Sequence, residues 1–147
     1  MNVTRAMVVQ VLYNKQDRPS VEGLSNPFDD VAGGRWYTDA VVWAYHNDVV
    51  SGFGDGTFRP GEYITRAHQS IILNNYAQIM GIELTPIREL RNFADNSYIR
   101  QYARASVEVL FKAGIINGRP DGRFDPQGNA TRAELATMLQ RFVEVIG

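Results

Sequence analysis

The sequence has no cysteine, which excludes disulfide staples, thiolate metal sites and cysteine nucleophiles together. It has only two histidines, His46 and His68, and neither has a second ligand at metal spacing, so no metal and no cofactor is expected. Neither charge sign is in surplus: fifteen Lys and Arg against sixteen Asp and Glu leave a formal charge of −1 and a pI near 6.1. That balance excludes bulk electrostatic capture of nucleic acid or an anionic membrane, and any anionic partner must be held by a few placed cations. No apolar run approaches the ~18–20 residues of a membrane span, so membrane insertion is not expected. Met1-Asn2-Val3-Thr4-Arg5 shows no basic-then-apolar leader. Proline is scarce, six residues against thirteen glycines. The 147 residues that remain to be explained are 44% apolar, with seven Phe, seven Tyr and two Trp, which suits short packed elements joined by many tight turns.

An internal repeat organises them. Asp48 to Arg66 reads DVVSGFGDGTFRPGEYITR and Gly114 to Arg132 reads GIINGRPDGRFDPQGNATR. At a shift of 66 residues, Gly52 falls on Gly118, Asp55-Gly56 on Asp121-Gly122, Phe58 on Phe124, Pro60 on Pro126 and Thr65-Arg66-Ala67 on Thr131-Arg132-Ala133. Trp36 falls on Tyr102, Val41 on Val107 and Tyr45 on Phe111, and a third Thr-Arg-Ala stands at Thr4-Arg5-Ala6. The chain therefore reads as one module over 1–147, with the second half of a first repeat at 1–16, a second repeat at 28–80 and a third at 93–146.

Each full repeat reads as helix, Gly-rich loop, helix, an all-α pattern. The first helices are expected near Trp36–Asn47 and Ile99–Ala113, from apolar residues recurring at helical spacing. Thr4, Thr65 and Thr131 are placed as N-caps of the second helices, and Glu134 three residues after Thr131 completes a capping box. Three such helices with matched apolar stripes should bundle, because no stripe alone can leave water. Gly81–Asn92 is expected to carry a short helical turn around Ile87–Leu90, and Arg88, Arg91, Arg100 and Arg104 read as a solvated basic face.

The repeated Arg5, Arg66 and Arg132 sit in the first helical turn, where a cation opposes the helix dipole at a cost of ~0.3–1 kcal/mol. Three such residues call for a compensating partner. One reading is an internal salt bridge or stacking on a neighbouring ring. The other is a carboxylate- or phosphate-bearing ligand gripped by the guanidinium and free helix N–H groups, at ~1.5–3 kcal/mol per charge-assisted bond. Trp36 and Tyr102 read either as packing residues or as flat platforms for a sugar ring, whereas Trp43 falls on Val109 and reads as packing. Asp55-Gly56 and Asp121-Gly122 are turn formers whose carboxylates could also accept sugar hydroxyls. Gly54-Asp55-Gly56-Thr57 looks like a calcium loop but lacks the alternating Asp and terminal Glu. No phosphate-loop motif, Ser-His-Asp set or distinct carboxylate pair is present, so no catalysis is expected.

The ordered sets Phe28-Asp-Asp-Val31, Trp36, Gly52-Phe-Gly-Asp-Gly-Thr-Phe-Arg-Pro60 and Ile64-Thr-Arg-Ala67 resemble an S-layer homology repeat. So do Phe93-Ala-Asp95, Tyr102, Gly114-Ile-Ile-Asn-Gly118, Asp121-Gly122, Phe124, Pro126 and Thr131-Arg-Ala-Glu134. The resemblance implies a pseudo-threefold module of repeats around a central three-helix bundle. It implies a non-catalytic anchor that binds a secondary cell-wall polysaccharide of a bacterium in grooves between repeats, often through a pyruvate ketal on the glycan. The alternative is a structural protein–protein module of the same surface. Carried over by position, the glycan-binding residues would be Arg5, Arg66, Arg132, the rings Trp36 and Tyr102, the turn residues Gly54, Asp55, Asp121 and Gly122, and the motif acid Glu134. Met7 and His68 stand where the other two copies would carry that acid, and Tyr102 stands for Trp. The implied location is the bacterial cell wall, as part of a larger exported protein, and the half-repeat at the start leaves a surface on which a second copy could pair.

Overall fold

The structure is a computed structural model and describes residues 1–146, with side chains described through Glu144. Among the described residues all regular structure is helical, in five α-helices: α1 (Arg5–Lys15), α2 (Thr38–His46), α3 (Arg66–Ile79), α4 (Gln101–Lys112) and α5 (Arg132–Ile146). The chain divides into two compact units, Val3–Tyr63 and Met1–Asn2 with Ile64 onward. That division falls inside the 28–80 repeat, so each unit groups the second helix of one copy with the loop of the next.

In the first unit α1 packs on α2. Ala6, Val8, Val9, Leu12 and Tyr13 of α1 and Ala40 to Ala44 of α2 are buried, with Tyr13 and Trp43 ring to ring at 5.5 Å. Trp43 is thus a packing residue. The helix starts at Thr38 rather than Trp36 because the Thr38 hydroxyl accepts from Arg35 N (2.9 Å) and donates to Ala32 O (2.6 Å). Those two bonds hold Trp36 and Tyr37 in the approach turn.

In the second unit α3 packs on α4, burying Ala67, Leu73, Tyr76 and Ala77 against a neighbouring stripe of Ala103, Val107, Leu110 and Phe111. A 3-10 turn at Asn96–Tyr98 leads into α4, and the sequence pattern held no sign of it. The expected helical turn at Ile87–Leu90 is absent. Instead Ile87 N donates to Lys112 O (2.8 Å), Arg88 Nε to Phe111 O (2.7 Å) and Arg88 Nη2 to Ile116 O (2.6 Å). The segment lies extended because its donors answer the carbonyls of Phe111 and Lys112, which have no intrahelical partner at the end of α4, and that of Ile116 just beyond it. Arg88 also stacks on Phe111 at 3.8 Å, so this exposed residue doubles as a clamp. Arg104 is likewise engaged, donating to Ile99 O at 3.0 Å.

The loops are built alike in the two units. In one, Asp30 accepts from Phe58 N (2.8 Å) and Arg59 N (2.7 Å); in the other, Asp95 accepts from Phe124 N (2.8 Å) and Asp125 N (2.9 Å). Phe28 and Phe93 lie under these loops beside Phe58 and Phe124, with centroids 5.5 and 5.4 Å apart. Gly52 and Gly118 pass so close to those rings that an added Cβ would stand 2.5 Å from Phe28 Cε1 and 2.7 Å from Phe93 Cε1.

Candidate functional site

The start of each Thr-Arg-Ala helix is a repeated device. Thr4 Oγ1 accepts from Met7 N (3.2 Å), Thr65 Oγ1 from His68 N (3.1 Å) and Thr131 Oγ1 from Glu134 N (3.1 Å). Glu134 Oε1 returns the bond, accepting from Thr131 N at 3.3 Å, so the capping box is formed. The other first-turn donors are used as well. Arg5 N donates to Glu62 O and Ala6 N to Pro60 O; Arg66 N donates to Gly128 O and Ala67 N to Pro126 O. Arg132 N donates to Met1 O at 2.8 Å. At α1 and α3 the expectation of free helix N–H groups for a ligand is therefore corrected, because loop carbonyls occupy them; at α5 Met1 O takes the Arg132 amide.

The guanidinia follow the backbone into the loops. Arg5, 6% exposed, donates from Nε to Phe58 O (2.9 Å) and lies over the Phe53 and Phe58 rings at 4.5 and 4.9 Å. Arg66, 8% exposed, donates from Nε to Phe124 O (2.8 Å) and from Nη2 to Asn117 O (3.1 Å), lies 5.0 Å from the Phe124 centroid, and pairs through Nη1 with Glu134. Burial pulls both down to about 10; Glu62 counteracts it at Arg5, and at Arg66 the nearby Arg119 adds to it. Both stay charged at neutral pH. Carbonyl, ring and carboxylate contacts thus offset the dipole cost, which is the internal-partner reading.

Above Arg66 the second unit carries an open hollow of about 280 Å³. Arg119, Glu134, Arg141, Gln69 and Asn117 share its wall with Arg66. Glu134 pairs with Arg66 and stands 3.6 Å from Arg119, which also reaches Asp125 at 3.3 Å. Arg141 donates to Ile115 O at 3.0 Å. Three cations and one carboxylate line a concavity wide enough for a monosaccharide substituent.

The turn residues face their own loops. Asp55 accepts from Thr57 N (3.0 Å) and Thr57 Oγ1 (2.6 Å), and Asp121 accepts from Arg123 N (3.1 Å) and Arg123 Nε (2.8 Å). The hydrogen bonds from Thr57 hold the Asp55 carboxyl below its ordinary range, and those from Arg123 do the same at Asp121. Gly54 and Gly122 stand beside them at φ +80° and +91°, with open space around each. Trp36 and Tyr102 do not join the core; they are 60% and 59% exposed. Trp36 lies edge to face with Tyr37 and borders a second hollow of about 460 Å³ with Gln10, Arg18, Arg35 and Asp39, to which Arg5 does not contribute. Tyr102 meets His68, with its hydroxyl 3.2 Å from Nε2. Arg132 is exposed.

The S-layer homology domain matches residues 27–68 and 99–136, more than half of the chain. The chain belongs to the S-layer homology family. It is 34% identical over 146 residues to an amylopullulanase of Thermoanaerobacterium thermosulfurigenes, covering 97% of this chain and 7% of that protein. It is 27% identical to a cellulosome-anchoring protein of Acetivibrio thermocellus, covering 97% of this chain and 32% of the relative. It is 30% identical to an S-layer protein of Bacillus licheniformis, covering 93% and 14%. The chain spans less than a third of each of these relatives. Membership of this family supports a cell-surface anchoring role for the module.

Within this S-layer homology chain the structure brings Arg66 and Glu134 together, although the sequence places one at the start of α3 and the other in the first turn of α5. The hollow beside Trp36 is not lined by Arg5. Sequence reasoning missed Asp30 and Asp95, whose position in both Phe-containing segments was the available signal. It also missed Arg119 and Arg141, for which the repeat gave none: at the 66-residue shift they fall on Phe53 and Asn75.

Proposed function

We propose that this chain anchors its parent protein to the bacterial cell wall by binding an anionic secondary cell-wall polysaccharide, with a pyruvate ketal as the favoured anionic group. The observation that carries this reading is the Arg66 hollow, where three guanidinia face one carboxylate in a space of about 280 Å³. A chain of net charge −1 has no field to gather a polyanion, so a local excess of cations is the available means. The exposed rings of Trp36 and Tyr102 and the outer faces of Asp55 and Asp121 would supply stacking and hydroxyl contacts along the glycan. Co-sedimentation with purified wall sacculi tests the proposal: the chain should pellet with intact sacculi and stay in solution with sacculi stripped of the polysaccharide. Equal pelleting with both would overturn it.

A second reading has its own observation. Arg5 and Arg66 are buried and engaged with loop carbonyls, as a purely structural lock between copies would require. On that reading the module assembles with other surface proteins, and isothermal calorimetry with the polysaccharide would show no heat beyond dilution.

A further inference from the structure

The Arg66 hollow holds two cations that repetition does not explain. Arg119 and Arg141 have no counterpart one copy earlier, where Phe53 and Asn75 stand. Their surroundings differ from those of Arg66. All the bonding directions described for Arg66 point into the protein: Nε to Phe124 O, Nη2 to Asn117 O and Nη1 to Glu134. A guanidinium so engaged is spent on holding the loop, and a ligand would have to displace Glu134 or a carbonyl to use it.

Arg119 is only about a third exposed and divides its charge between Asp125 and Glu134, at 3.3 and 3.6 Å, distances longer than a tight charge-assisted bond. Arg141 is half-buried and donates from Nη1 to Ile115 O. Among the described residues no carboxylate pairs with it. Three successive carbonyls, at Ile115, Ile116 and Asn117, accept from Arg141, Arg88 and Arg66 in turn. Carbonyl dipoles orient these cations and contribute no countercharge. The same wall includes Gln69, 2% exposed, whose Oε1 meets no donor among the described residues. Buried polar atoms are ordinarily paired, so this one is an acceptor left for a hydroxyl or a bridging water.

We infer that Arg119 and Arg141, rather than the repeated Arg66, take the anionic substituent of the glycan, a carboxylate or a phosphate. Arg66 acts as a positioning residue that fixes loop 117–124 and Glu134 beneath them. This assignment rests on the glycan reading above and makes this hollow selective in a way that the first unit's loop, with Phe53 in place of Arg119, does not repeat.

Calorimetry of the full chain with purified wall polysaccharide tests it. Arg119→Gln and Arg141→Gln should each weaken binding about 10-fold or more, the scale of a lost charge-assisted bond. The double variant should also flatten the dependence of affinity on sodium chloride, while its melting temperature stays within a few degrees of the parent. Arg141→Lys, which keeps the charge, should retain more affinity than Arg141→Gln at equal stability. Polysaccharide freed of pyruvate or, separately, of phosphate identifies the group: the treatment that abolishes binding names it, and binding that survives both overturns the assignment. If the double variant binds as the parent does, the assignment fails while the glycan reading stands. If the parent itself does not bind, both fail.

Discussion

Arg66 answers three demands at once, and each has a measurable consequence. It satisfies Phe124 O and Asn117 O, covers the Phe124 ring, and neutralises Glu134. Arg66→Ala leaves buried acceptors and a half-buried carboxylate without their donor, so urea unfolding should show a loss of about 2–4 kcal/mol. Arg132→Ala removes an exposed cation from the first turn of α5, where it opposes the dipole, and stability should change by no more than about 0.5 kcal/mol. Equal costs for the two substitutions would show that the repeated Arg does not work by docking into the following loop. At Asp55 and Asp121 the prediction concerns pH. Both carboxyls titrate below their ordinary range in the folded chain, so as pH falls the unfolded chain takes up protons first, near pH ~3.9. Their contribution is therefore present above that pH and is lost as pH falls through the lower folded value. The double variant Asp55→Asn/Asp121→Asn should flatten the melting temperature between about pH 5 and 3 relative to the parent.

The loops and helix ends show how elements are fixed by single positions. Gly118 lies against Phe93, Arg91 and the Arg123 carbonyl, and an alanine there must push a ring and a backbone oxygen aside. Gly118→Ala should cost about 1–3 kcal/mol in chemical denaturation, the range for overpacking a filled site. The end of α2 offers the reverse case. Asp48 takes φ +60°, where the equivalent residue after α4 is Gly114 at φ +79°. Asp48→Gly should raise stability by about 1 kcal/mol, because glycine occupies the left-handed region without the Cβ penalty. These element-level features were unevenly legible. The Thr caps and the Glu134 box could be read because capping is local, a side chain three residues from the N–H it answers. The Ile87–Leu90 turn was misread because its donors serve Phe111, Lys112 and Ile116, more than twenty residues away, and no short-range pattern encodes that. The same distance hid the role of Asp30 and Asp95, which hold amides 28 to 30 residues on. The site suffered most: repetition drew attention to Arg66, while the cations that give its hollow a charge surplus are the ones that do not repeat.

At the scale of the whole molecule, the sequence repeat and the packing unit are out of phase by half a copy. The repeat, as a pattern of residues, runs from loop-leading helix to capped helix, 28–80 and 93–146. Packing groups α1 with α2 and α3 with α4, with a boundary between Tyr63 and Ile64. The reason lies in the Thr-Arg-Ala element itself, which in its first two copies directs two first-turn amides and the guanidinium at the loop of the next copy: Arg5 at Phe58, Arg66 at Phe124. A single sequence repeat therefore contains a loop without its Arg and an Arg without its loop. That arrangement predicts which fragments fold. A fragment of residues 93–147, one full sequence repeat, lacks α3 and Arg66; it should show little helix by circular dichroism and no cooperative thermal transition. A fragment of residues 64–147 keeps α3 on α4 and Arg66 in its loop, and should show more helix per residue and a cooperative transition, at a lower temperature than the whole chain because the pairing of Arg132 N with Met1 O is gone. If instead 93–147 melts cooperatively at the temperature of 64–147, the repeat is its own folding unit and the docked arginine is dispensable. The Arg66→Ala variant of 64–147 separates the contribution of the extra helix from that of the clamp, since it retains every residue of α3 but one.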